Sequence, residues 1–380
     1  MKIILAPDSY KGNIRSPEIC NIMRSALLAT IPNATVISIP MADGGEGTTD
    51  AAVTATGGHL VTIKVHNAAG NLIETTYGLT GDGRTAIMEM ASSCGLELLA
   101  PTEMNPLQTS TYGTGEMIRA IIEAGGRDII IGIGGSATND GGAGMAQALG
   151  YKFSLSDGSP LTCHCSGGVL EKISGIDTSG VIQKLKKTRI RVACDVTNPL
   201  LGSNGAAAVY SPQKGASPEM VEQLECNMMN YADVLTRNGL SKVCDRPGDG
   251  AAGGLGFGLR VLTAAEIVSG AQLMIELTGL REHLRDADLI ITGEGCTDNQ
   301  TLSGKLCQVV AEAASAANVP TILLSGAING DLAALRRTFT AVFSIASGPS
   351  SLAMAMENSR ENLYNTTAGL AAVLKQLFLK

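Results

Sequence analysis

K-I-I-L-A-P-D at residues 2–8 is a short apolar run closed by a proline and an acid, which predicts a buried strand followed by a turn. Ser16-Pro17-Glu18 comes next, offering an N-cap, a first-turn proline and a dipole-matched acid in that order. Ile19, Ile22, Met23, Ala26 and Leu27 then fall at helical spacing, and Ile31-Pro32-Asn33 stops the helix before a second strand at 36–39. Strand, crossover helix and strand are the unit from which parallel sheets are made.

The far end of the chain repeats this pattern. Residues 288–292, 321–324 and 341–345 predict strands, and 304–317, 332–337 and 361–378 predict helices. Buried runs alternating with helices predict a parallel, doubly wound α/β domain of flavodoxin or Rossmann type, built from both chain ends, 1–47 plus 285–380. The middle reads differently. Residues 60–66 and 72–78 alternate around Asn67-Ala68-Ala69-Gly70, as an antiparallel pair does. Strands at 84–90, 128–133 and 190–195, a helix at 114–124 and another opened by Ser217-Pro218-Glu219 complete a mixed α/β domain inserted at 48–284. Two domains suit a chain of 380 residues, which is more than one compact core usually holds.

Composition narrows the function. Hydrophobic residues at 44% and charged residues at 17% describe a globular protein. A net charge of −7 supplies no field for nucleic acid or anionic lipid, and 5 Phe, 7 Tyr and no Trp leave few stacking platforms. No apolar run is long enough to span a membrane, and the amino terminus is too short an apolar stretch for a signal peptide. The nine cysteines include no C-x-x-C pair and suit reduced thiols, so a cytoplasmic protein is expected. Cys163-His164-Cys165 lacks a second cluster to complete a metal site and is expected to be an ordinary loop.

Glycine stands at 46 of 380 residues, against roughly 7% in average proteins, and it clusters beside acids and lysines at strand ends. The clusters are A-P-D-S-Y-K-G (6–12), A-D-G-G-E-G-T (42–48), G-I-G-G-S-A-T-N-D-G-G-A-G-M (132–145), A-C-D-V-T-N-P-L-L-G (193–202), P-Q-K-G-A (212–216), P-G-D-G-A-A-G-G-L-G-F-G-L (247–259) and T-G-E-G-C-T-D-N-Q-T-L-S-G-K (292–305). Glycines let backbone amides approach an anion closely, and before a helix they aim its positive end at phosphate. Lys11, Lys214 and Lys305 each adjoin a glycine, where an ammonium can reach phosphate or carboxylate. Asp8, Asp43, Glu46, Asp140, Asp195, Glu294 and Asp298 sit in the same loops, several directly after an apolar strand, where open α/β sheets bind ligands. Such carboxylates suit Mg²⁺ shared with substrate phosphates, or accept a proton from an attacking hydroxyl. The competing role is capping of free amides, which weighs most on Asp43 and Asp140.

Two familiar motifs need discounting. Gly132 to Ala137 fits the dinucleotide fingerprint, yet the acid twenty residues on, Asp157, lies in a polar stretch. Ser303-Gly304-Lys305 is followed by Leu306 where a P-loop needs Ser or Thr. His59, His66, His164 and His283 fall outside the glycine loops, which disfavours histidine-based catalysis. The residues alone therefore point to phosphoryl transfer from an ATP-type donor to a small polar acceptor.

Taken together and in order, the seven motifs from residue 6 to 305 resemble the bacterial glycerate kinase family, the group of glycerate 2-kinase type that includes the glyoxylate- and galactarate-pathway enzymes. The resemblance implies ATP-dependent, Mg²⁺-assisted phosphorylation of D-glycerate to 2-phosphoglycerate, in a cleft between two unlike α/β domains. Carried onto matching positions, it implies Asp8, Lys11, Asp43 and Glu46 on one wall, and Gly134, Gly135, Ser136 and Asn139 as an amide-rich loop. Asp195 and Asn198 would face the substrate, Lys214 would bind an anion, and Glu294, Asp298 and Lys305 would complete the site. Asp195 is the first choice for the base and Asp298 the second, with Mg²⁺ held by Asp195, Glu294 or Asp298. Asp249 and Cys296 depart from the pattern: the first adds a negative charge expected to border the cleft, the second replaces a position that is often basic. The alternatives are an NAD-dependent 2-hydroxy-acid oxidoreductase using the 132–137 loop, and a non-catalytic metabolite-binding regulator.

Overall fold

The computed structural model describes residues 1–241, 245–302 and 304–378, the side chains of Gln300 and Phe378 excepted; Cys244 and Ser303 lie outside the described residues. The strands in chain order are β1 (Lys2–Leu5), β2 (Thr35–Ser38), β3 (His59–His66), β4 (Leu72–Leu79), β5 (Thr85–Glu89), β6 (Asp128–Gly132), β7 (Lys152–Leu155), β8 (Ile173–Asp177), β9 (Arg189–Ala193), β10 (Glu266–Val268), β11 (Leu289–Thr292), β12 (Cys296–Thr297), β13 (Thr321–Ser325), β14 (Ala327–Ile328) and β15 (Ala341–Ser344). The chain divides into two compact units. One comprises Met1–Asp43, Asp50–Gly58 and Gly270–Lys380, and the other comprises Gly44–Thr49 and His59–Ser269. The return to the terminal unit thus comes at Gly270, where the sequence placed it at 285. The Gly270–Thr278 helix buries Leu273, Met274 and Ile275 and packs on the Leu306–Ala316 helix, so it belongs with the terminal unit.

The terminal unit holds a five-stranded sheet in the order β15-β13-β11-β1-β2, parallel throughout. From β1 the chain steps outward to β2 on one side. It re-enters at β11 on the other side and steps outward again to β13 and β15. Strand order therefore reverses between β1 and β11, and in open α/β sheets that reversal leaves a ligand crevice beyond the carboxyl ends of the strands. Ile3 and Leu5 of β1, Ile291 of β11 and Leu324 of β13 pack against Ile19, Met23 and Leu27 of the Ser16–Thr30 helix and Leu363 of the Ser359–Phe378 helix. The helix starts where the sequence predicts, but Ser16 does not cap it. The cap position falls on Arg15, and Ser16 is buried with its Oγ donating to Pro7 O at 2.6 Å and accepting from Met41 N at 2.9 Å. The hydroxyl joins the turn after β1 to the turn after β2, a stronger demand than a local cap.

The second unit is built on a six-stranded sheet, β10-β9-β6-β5-β4-β3, with β3–β4 and β4–β5 antiparallel and the rest parallel. Glu89, Gly132, Ala193 and Val268 align as one row across β5, β6, β9 and β10. Its core includes Met88, Met117, Ile118, Ile131, Tyr231 and Phe257. Ser217 caps the Pro218–Arg237 helix by accepting from Met220 N, as its sequence signal predicts. The Ala251–Thr263 segment opens with Ala252, Gly253 and Gly254 in left-handed conformation, a kink the glycine run makes possible. Eight cysteines are described, and each is a free thiol.

Replacing Ser16 by Ala removes both hydroxyl bonds but leaves Met41 N–H donating to Pro7 O at 3.1 Å, so the loss should be about 0.5–1.5 kcal/mol. The urea midpoint of Ser16→Ala should fall accordingly with the slope unchanged; an unmoved midpoint would show that the hydroxyl bridge contributes nothing.

Candidate active site

In the terminal unit, four predicted acids assemble at the strand-order reversal. Asp8 follows β1, and its N–H donates to Gly293 O at 2.8 Å, tying the turn after β1 to the turn after β11. Ser9 N–H donates to Asp8 Oδ1 at 2.7 Å. Glu294 follows β11, and its Oε1 accepts from Thr297 Oγ1 at 3.0 Å and Thr301 Oγ1 at 2.7 Å. Thr301 Oγ1 also accepts from Asp298 N at 3.1 Å, and Thr297 Oγ1 lies 2.6 Å from Ser325 Oγ at the end of β13. Burial, then the neighbouring charge of Asp43, pushes the Asp8 carboxyl well above the usual carboxylate range, and Glu294 adds to it. Burial raises Glu294 as well, opposed by its two threonine hydroxyls and by Lys305. Lys305 stands at the cap position of the Leu306–Ala316 helix. Lys11 is exposed, and its backbone lies so close to Gly295 that a Cβ there would sit 3.3 Å from Lys11 N. Asp8, Lys11, Asp43, Glu294, Asp298 and Lys305 are thereby brought together.

In the second unit the predicted residues separate into exposed and enclosed ones. The Gly44–Gly47 segment crosses the carboxyl ends of β6 and β9. A Cβ on Gly132 would lie 2.5 Å from Gly44 O, one on Gly134 would lie 3.2 Å from Gly45 Cα, and one on Gly44 would lie 2.7 Å from Ala193 Cβ. Glycine is required for that approach, and Gly44 at φ +93° also needs its backbone freedom. Glu46, Gly134, Gly135 and Asp195 are exposed on this edge. Ser136 and Asn139 are buried behind them.

Lys214, expected to bind an anion, is instead 1% exposed, and its Nζ donates to Ser136 Oγ at 2.7 Å and Thr138 O at 2.6 Å. Burial brings its pKa down to about 7, against the pull of Asp140. It is a strut beneath the glycine loop. Asn198 is similarly occupied, donating to Asn204 O at 2.9 Å and accepting from Tyr210 OH at 2.7 Å. Asp140 does what the capping alternative expects: fully buried, it accepts from Thr111 N and Oγ1, Gly142 N and Gly144 N. The expectation that Asp249 adds a bordering charge fails. It is 0% exposed, and Arg260 meets it through two hydrogen bonds of 2.7 Å, because a buried carboxylate is tolerated only when paired.

Sequence reasoning missed Thr297 and Thr301, although hydroxyls closely following an acid at a strand end were a usable signal. It also missed Glu89, the final residue of β5, whose Oε1 accepts from Thr49 N at 2.7 Å and Oε2 from Gly47 N at 3.2 Å. Two of the histidines join a ring cluster: His164 stacks on Tyr112 with centroids 3.9 Å apart, and His66 meets both rings edge-on while its Nδ1 lies 3.0 Å from Glu116. Spacing along the chain carries no sign of that cluster. Among the described residues, no three His, Cys, Asp or Glu side chains converge closely enough to hold a metal ion by themselves. No helix among them is long and apolar enough to cross a membrane. The 132–137 loop does not lead straight into a helix, since the next one begins at Ala143, and Asp157 is spent on the Ser159 turn.

A parallel sheet with acids and a lysine at its order reversal, in a chain that also carries a second sheet edged with glycine turns, suits an α/β enzyme of the kinase class. The chain belongs to the glycerate kinase family, whose model matches residues 3–375. It is 41% identical to glycerate 2-kinase of Escherichia coli (strain K12), over 98% of each chain. It is 42% identical to glycerate kinase of Bacillus subtilis (strain 168), over 99% of this chain and 98% of that one. A solved glycerate kinase 2 structure from Salmonella typhimurium LT2 matches with a TM-score of 0.89 at 42% identity, covering 99% of this chain and 98% of that one.

Lys214 supplies a test of the strut. Its folded pKa of about 7 lies below the ordinary 10.5, so between those values the unfolded chain binds more protons and this group makes stability rise with pH. Chemical denaturation at about pH 7 and about pH 10 should therefore show a larger gain for the wild type than for Lys214→Met. An equal gain in both would mean that the ammonium is not held in a dry site.

Proposed function

We propose that this enzyme transfers the γ-phosphoryl group of ATP to the 2-hydroxyl of D-glycerate, giving 2-phosphoglycerate and ADP. The observation that carries the proposal is the gathering of Asp8, Asp43, Glu294 and Asp298 with Lys305 at the reversal between β1 and β11. Burial raises the Asp8 and Glu294 carboxyls there and neighbouring acids add to it, which suits a cation arriving with a nucleotide. The donor set fits Mg²⁺ held by one or two carboxylates, Glu294 or Asp298 foremost, with phosphate oxygens and water as the other ligands. When bound, Mg²⁺ would neutralise charge developing on the phosphates. Lys11 and Lys305 supply further positive charge from the loops that carry Asp8 and Glu294.

In the second unit, exposed Gly134 and Gly135 offer a flexible backbone edge for an anionic group. Asp195, exposed just past β9, is the choice for the acid that takes the hydroxyl proton, because Asp140 and Asp249 are enclosed. As the glycerate oxygen bonds to phosphorus, the bond to ADP breaks and the proton passes to the Asp195 carboxylate.

A coupled ADP assay across D-glycerate, L-glycerate, glycerol and hydroxypyruvate tests the substrate, and phosphorus NMR tests the position of attachment. ADP formation should require D-glycerate and Mg²⁺, and Asp195→Asn should lower kcat by at least about 10²-fold, with Lys11→Ala also losing turnover. Unchanged kcat/KM in both variants would remove the site assignment. A nicotinamide absorbance change with a 2-hydroxy acid would favour an oxidoreductase, and ligand-induced stabilisation without turnover would favour a binding protein.

A further inference from the structure

Glu89 ends β5 in the same row as Gly132 and Ala193, the two residues against which Gly44 is packed. Its two carboxylate oxygens accept from different amides, Oε1 from Thr49 and Oε2 from Gly47. Those amides flank Thr48, the first residue of the Thr48–Thr56 helix, so one carboxylate from a distant strand satisfies two donors that the helix start leaves open. The segment between these anchors and Gly44 carries Glu46 and lies on the end of β9, two residues before Asp195. A glycine-rich stretch has little stiffness of its own; close packing at Gly44 holds one end, Thr48 closes a turn onto Gly45 O at 2.7 Å, and Glu89 ties the other end to β5.

We propose that Glu89 is a positioning residue: its bidentate grip on Gly47 and Thr49 sets the 44–49 loop against the β9 end, on the side of the reaction that receives the phosphoryl group. The inference rests on the proposed kinase reaction and deepens it, assigning this loop to the hydroxy acid and not to the nucleotide. Contact with the strand that presents Asp195 is what favours the acceptor side. Glu89 itself touches neither substrate in this scheme and transfers no proton.

The test compares Glu89→Gln, Glu89→Ala and wild type. Glutamine keeps the shape and one acceptor but turns an N–H toward the second amide, whereas alanine removes both acceptors. The KM for D-glycerate should rise about tenfold in Glu89→Gln, the effect of one charge-assisted hydrogen bond, and further in Glu89→Ala. The KM for ATP should stay within about twofold in both variants, a split that general destabilisation would not give. Hydrogen exchange provides a readout independent of activity: amides in 44–49 should exchange faster in Glu89→Gln while β5 keeps its wild-type protection. Unchanged exchange in 44–49, an unchanged KM for D-glycerate, or an equal rise in both KM values would overturn the proposal. Wild-type protein that fails to phosphorylate D-glycerate would sink the proposed function instead, and the exchange experiment would still decide whether Glu89 holds the loop.

Discussion

Like charges brought together at the end of a parallel sheet are the constraint around which the terminal unit is arranged. Asp8, Asp43 and Glu294 repel one another, and burial removes the water that would screen them. The fold tolerates this because each turn is fixed by other means. Asp8 N–H is bound to Gly293 O, Glu294 is gripped by Thr297 and Thr301, and Ser16 bridges the turns that precede Asp8 and Asp43. Such an arrangement carries an electrostatic cost that a nearby positive charge would relieve.

The second unit answers a different problem, close approach of backbone to backbone. Gly44, Gly132 and Gly134 permit a loop to lie directly on strand ends, and Lys214 braces the turn from beneath. The lysine acts there as a hydrogen-bond donor to Ser136 and Thr138. Its long stem reaches from a surface turn into a dry interior, which explains why an ammonium so placed has lost much of its usual preference for charge.

The sequence disclosed the strands and helices of both units because apolar period and punctuation coincide there. Examples are the run before Pro7, the Asn67 turn and the Ser217 cap. It also disclosed which loops hold the acids of the terminal unit. It could not tell an exposed acid from an enclosed one. Asp195 and Asp249 both sit in the motif loops, yet Asp195 is exposed while Asp249 is buried against Arg260, and the loop motifs do not show that burial. Lys214 was misjudged for the same reason, since adjacency to glycine says nothing of what lies inward. Ser16 was misjudged because a local cap and a long-range bridge use the same hydroxyl.

The register of β1 with β11, Ile3 opposite Leu289, has a consequence for biogenesis. β1, an inner strand of the terminal sheet, is synthesised before the other unit, yet its neighbour β11 is translated only after the whole of that unit. Vectorial synthesis therefore lets the internal unit mature while an apolar β-segment waits with an open edge, the kind of exposed nascent chain that holdase chaperones protect.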